Sequence, residues 1–86
     1  MNIKAKQWTL LEVCWDDAYG THGWEDLESV VKSELVDCPC ITVGYFIGQT
    51  NKMVCLAQTR GLSEDHSDIN GTITIPKGMI KKVRRL

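Results

Sequence analysis

The sequence predicts a mainly β fold: five strands rolled into a small barrel, with a short helix or helical turn in the loop after the first strand. Three observations carry this. Short runs of alternating apolar residues recur along the chain, with the period of a half-buried strand. Glycine, proline, asparagine and aspartate clusters punctuate them as turns. Five strands in 86 residues cannot cover both faces of an open sheet, so rolling it up removes most of its exposed edge. That length makes one domain, 1–86, with no room for a second core.

The elements follow in order. In QWTLLEVCW, residues 7–15, Leu11, Val13 and Trp15 alternate with Leu10, Glu12 and Cys14, which reads as a strand with one buried face. Residues 16–23, DDAYGTHG, are a loop. In WEDLESVVKSEL, Trp24, Leu27, Val31 and Leu35 recur at helical spacing, and Asp26 and Glu28 favour a helix start there. After Pro39, ITVGYFIG places Ile41, Val43, Tyr45 and Ile47 on one strand face, with Gly44 and Gly48 on the other marking a bend or a close backbone approach. QTNK is a tight turn, and MVCLAQT is a strand apolar on both faces, suited to a central position. Residues 60–71 form a polar loop. TITIP points Ile73 and Ile75 inward, and KGMI makes one turn before the last strand, KKVRRL.

Composition is that of an ordinary globular chain, 43% hydrophobic and 24% charged. No apolar run approaches a membrane span, and MNIKAKQWTLLEV lacks the apolar core of an export signal. Cys14, Cys38, Cys40 and Cys55 are therefore expected as reduced thiols of a cytoplasmic protein. Cys38-Pro39-Cys40 gains no second ligand pair at zinc spacing; His22 or His66 would have to arrive by distant folding, so loop thiols are the plainer reading. The net charge of −1 hides a segregation. Residues 12–37 hold eight acids against Lys32, whereas residues 76–86 hold five bases and no acid. Such a split serves neutralisation within the chain, a solvated face, or two surfaces that join neighbouring subunits.

No P-loop, GxSxG, HExxH or glycine-rich dinucleotide turn is present, so a non-enzymatic protein without cofactor or metal is expected. Asp16, Asp17, His22, Glu25 and Asp26 in one loop are the best candidates for a cation or shared proton, and a solvated loop is the simpler account. Cys14 has no visible base to activate it. Trp15 and Trp24 flank a loop that also holds Tyr19. Either Trp24 folds that loop back onto the barrel, or the tryptophans form a stacking platform for a nucleotide whose phosphate meets Lys77 or Arg60.

The ending TITIPKGMIKKV resembles the close of SH3-like barrels, where strand, proline, one tight turn and a short strand follow one another. Met79 stands where the SH3 peptide groove has its tyrosine, and MVCLAQT has no aromatic, so proline-rich recognition does not carry over. Lys77-Gly78 is similar to the basic residue and glycine between the last two strands of Sm-like barrels, and Met53-Val54-Cys55-Leu56 partly resembles their first motif. The pattern of Trp15, Gly23-Trp24, Thr42-Val43-Gly44-Tyr45 and Ile75-Pro76-Lys77-Gly78 looks like that of small tailed-bacteriophage proteins. The Sm resemblance implies a ring-shaped homo-oligomer in which edge strands of neighbours pair. Lys81, Lys82, Arg84 and Arg85 of one copy would then face Glu12, Asp16 and Asp17 of the next. It also implies RNA or a small nucleotide as ligand, with Trp15, Trp24, Arg60 and Lys77 as the candidate contacts. The phage resemblance implies the host cytoplasm. It offers an alternative function, a protein that binds and inhibits a host protein through its acidic face.

Overall fold

The computed structural model describes residues 1–19, 23–34, 36–64 and 68–86. Five strands, β1 (Leu10–Asp16), β2 (Pro39–Gln49), β3 (Met53–Arg60), β4 (Ile69–Pro76) and β5 (Ile80–Arg85), form one antiparallel sheet in the order β4-β3-β2-β1-β5. A helix, α1 (Leu27–Glu34), lies between β1 and β2, and a 3₁₀ turn (Lys77–Met79) joins β4 to β5. The mainly β composition, the five strands and the short helix are as expected. The closed barrel is not: β4 and β5 share no ladder, and the sheet stays open. It is nevertheless strongly curled. In a flat sheet the two outer strands would stand about 19 Å apart, whereas a three-residue 3₁₀ turn advances only about 6 Å.

Much of the curl comes from β2. Its first part, Pro39–Tyr45, pairs with β1, and its last part, from Tyr45 onward, pairs with β3. The two regimes meet at Gly44, whose missing side chain lets the strands close in. A Cβ there would lie 2.9 Å from the Ala57 carbonyl oxygen. The inward face of β2 is therefore Gly44 and Phe46, both buried, while Ile41 and Val43 stand exposed on the other side. The core gathers Leu11, Val13, Phe46, Val54, Leu56, Ile75 and Ile80, with Trp15, Ile73 and Val83 packed around them.

Two boundaries differ from the sequence reading. Strand β1 begins at Leu10, because residues 7 and 8 form a turn in which Trp8 takes a positive φ of 76°. Strand β4 begins at Ile69, inside the expected loop. Gly71, at φ 73°, keeps the strand running past the Gln58 side chain, which occupies the space a Cβ would need.

The N-terminal segment completes the core. Ile3 is buried among the strands, with Ala5 packed beside it. The Gln49 side chain accepts from the Ile3 N–H at 3.0 Å and donates to the Ile3 carbonyl at 2.7 Å, imitating a strand partner. Lys77 donates to the Met1 carbonyl and to Gln49 Oε1, which fixes the same clamp from the β4–β5 side.

Helix α1 stands apart. Asp26 caps it by accepting from the Ser29 N–H at 3.2 Å. The helix makes no substantial contact with any strand. Trp24, Leu27 and Val31, the stripe at helical spacing, are all exposed, and Leu35 lies outside the described residues. The Cα radius of gyration is 16.5 Å, against about 12 Å for a compact chain of this length.

Candidate functional site

The four candidate ligand contacts sit in four different settings. Trp15, at the end of β1, is half-buried against the core, and its Nε1–H donates to Thr42 Oγ1 at 2.9 Å. Trp24 is fully exposed at 104%, so it does not fold its loop back onto the sheet. Arg60, at the end of β3, lays its guanidinium over the Trp8 ring, 4.1 Å from the centroid. Lys77 is held by Met1 and Gln49. No hydrogen bond or ring contact joins any two of these four residues.

The charged residues proposed as a subunit interface meet partly within the chain. Strand pairing sets Glu12 opposite Arg84, and their side chains form an ion pair at 3.1 Å. Lys81 pairs with Asp16 at 3.2 Å across the same two strands. Arg85 donates instead to the Lys4 carbonyl at 2.9 Å. Lys82 and Asp17 remain exposed at the surface. Intramolecular neutralisation thus uses two of the four bases of β5.

The thiols are dispersed. Cys14, Cys38, Cys40 and Cys55 are all free and half-buried. Desolvation, reinforced by Cys38 and Asp17, pushes the Cys40 thiol above its ordinary value, which disfavours the nucleophilic thiolate. Among the described residues no three metal-ligating side chains come together, and His22 and His66 lie outside those residues. No described helix is long and apolar enough to cross a membrane.

Two features escape the sequence. The first is a cluster on the outer face of the sheet. Trp8, in its left-handed turn, meets Tyr45 edge-on with ring centroids 6.1 Å apart, while Arg60 covers its face. The Arg60 Nε–H is buried there with no acceptor. Nothing in KQWT distinguishes a strand start from this turn. The second feature is a pair of grooves. One, of about 400 Å³, runs between the N-terminal segment and β5. The other, of about 410 Å³, opens where the first part of β2 splays away from the β3–β4 hairpin. The only trace of the second in sequence is Gly44, at the apex of the split.

The molecule belongs to the class of mainly β chains with one open, curled antiparallel sheet, here carrying a projecting helical arm. No protein-family model matches it, and neither a characterised protein nor a solved structure shows significant similarity.

Proposed function

We propose that the chain is a non-enzymatic, Sm-like assembly protein whose copies join edge to edge into a ring-shaped homo-oligomer. The observation that supports this reading is the pair of unpaired strand edges at opposite ends of the sheet order. Strand pairing with β3 uses Ile73 and Ile75 and continues as the Lys77 N–H donates to the Lys52 carbonyl; Thr72 and Thr74 therefore turn their N–H groups outward. On the other edge the Leu86 N–H donates to Leu10, so Val83 and Arg85 turn theirs outward. An exposed edge is a template for another strand. Because the two edges differ, a β4-to-β5 contact is head-to-tail, and it gives a ring where the rotation between copies closes and an open filament where it does not. The groove beside β5 leaves room for the incoming strand. Any nucleotide bound to one copy would have to displace the internal partners of Arg60 and Lys77.

Native mass spectrometry under reducing conditions tests this. A discrete multiple of 9.7 kDa is expected. Thr74→Pro and Arg85→Pro each remove an outward donor and should give monomers with unchanged circular dichroism. A wild-type monomer at micromolar concentration sinks the reading.

The exposed Trp24 favours a second reading, in which the arm binds a host protein. Its apolar stripe is flanked by Glu25, Asp26 and Glu28, so the partner would present a groove both apolar and basic. Trp24→Ala would then abolish capture of that partner while leaving the mass of the assembly unchanged.

A further inference from the structure

We infer that the groove between β2 and the β3–β4 hairpin is a docking site for an uncharged, extended peptide strand, which adds to the free edge of β2. The inference is independent of self-assembly through β4 and β5.

The backbone of β2 carries the argument. The Asp17 N–H donates to the Cys38 carbonyl at 2.9 Å, and the Phe46 N–H donates to the Thr9 carbonyl at 2.7 Å. These two bonds fix the alternation: between them the even-numbered residues of β2 turn their polar groups toward β1. Ile41 and Val43 therefore direct their N–H and C=O groups the other way. On that side pairing with β3 begins only at Tyr45, so no described strand meets them. Two donors and two acceptors, spaced as in any strand, line one wall of the groove.

The rest of the groove defines the occupant. Its floor is the buried pair Leu56 and Ala57, and its far wall carries Gln58 and Thr72. Among the described residues, no charged side chain and no aromatic lines it. An anionic nucleic acid would find no cation for its phosphates and no ring for its bases. A proline-rich helix would find no aromatic ridge, and its prolines would bring no N–H to the free carbonyls. A β-strand meets every requirement: its backbone satisfies Ile41 and Val43, and alternate apolar side chains cover the floor. The same strand would cover part of Ile41 and Val43, which stand 69% and 50% exposed. Pro39–Gly44 extends about 20 Å, enough for a segment of five or six residues.

The test is selection from a linear random peptide library on the immobilised full chain, followed by amide hydrogen exchange of the protein with one selected peptide. Enriched peptides should alternate apolar residues and lack proline. Exchange of the Ile41 and Val43 amides should slow at least tenfold on binding. Val43→Pro removes a donor that faces the groove and no bond to β1, and should weaken binding at least tenfold. Thr72→Trp fills the groove from the far wall, leaves β2 untouched, and should do the same. Failure to enrich any peptide overturns the inference. Protection at Thr72 and Thr74 or at Val83 and Arg85 instead overturns it too, as does binding that survives both substitutions.

Discussion

Gln49 is the residue whose role is least like its appearance. In sequence it opens a turn, QTNK, and its neighbours suit a turn well. In the fold its carboxamide satisfies both backbone groups of Ile3, forty-six residues away, and accepts from Lys77 as well. One side chain thus makes the pair of bonds that a facing strand residue would make, and Ile3 seats in the core without a strand beside it. Truncating Gln49 to alanine leaves a part-buried N–H and C=O without partners, a loss of about 1–3 kcal/mol. Urea unfolding of Gln49→Ala should show that decrease, and Ile3→Ala in the same background should add less than it does alone, because the two act through one contact. Additive losses would mean that Ile3 is held by packing alone. Lys77 makes the same point from another direction. A lysine before glycine in a tight turn looks like a phosphate contact, yet here the ammonium is an internal brace between Met1 and Gln49.

At the scale of elements, the strands whose apolar residues alternate cleanly were legible and the bent one was not. In β1 and β4, burial follows the alternation of Leu11, Val13, Ile73 and Ile75, because one face of each strand meets the core throughout. In β2 the run Ile41, Val43, Tyr45, Ile47 marks one strand face without saying which side meets the core, and it is Gly44 and Phe46, on the opposite face, that do. The reason is steric: only a glycine can lie against the Ala57 carbonyl where β2 passes from β1 to β3. Gly44→Ala should therefore cost about 1–3 kcal/mol by forcing backbone apart, measured as a shift in the denaturation midpoint. A neutral result would show that the bend is soft. Helix α1 was legible from its spacing, but the apolar stripe that announced it faces solvent rather than the sheet. Asp26→Ala removes the cap and about 1 kcal/mol of helix stability. Since α1 does not pack on the strands, the global midpoint should stay put while the Val30 and Val31 amides exchange several-fold faster. A lowered midpoint would mean that the arm and the sheet unfold as one unit.

The molecule as a whole is a sheet with an arm, measuring 56 × 26 × 22 Å. The arm leaves and rejoins the sheet at a single neck. Asp16 pairs with Pro39, and the Asp17 N–H donates to the Cys38 carbonyl, so residues 18–37 emerge from what is otherwise the closed end of a β1–β2 hairpin. Within that segment the Tyr19 hydroxyl donates to the Val36 carbonyl at the exposed base of the arm. Such an insertion is thermodynamically light. Shortening the connection tenfold, to an Asn-Gly turn, reduces loop-closure entropy by about 2 kcal/mol, which exceeds what the exposed Tyr19–Val36 hydrogen bond contributes. Replacement of residues 18–37 by Asn-Gly should thus raise stability by about 1–2 kcal/mol and bring the scattering radius of gyration from near 16.5 Å toward about 11 Å. An unfolded or less stable product would make the arm part of the core. If the excised protein is stable, its assembly tests the edge-to-edge reading: a sheet that still forms the same oligomer joins through its edges, while loss of the oligomer ties assembly to the arm and overturns that reading. The Glu12–Arg84 and Asp16–Lys81 pairs lie on the strands outside the excised segment, so neither outcome can be attributed to their loss.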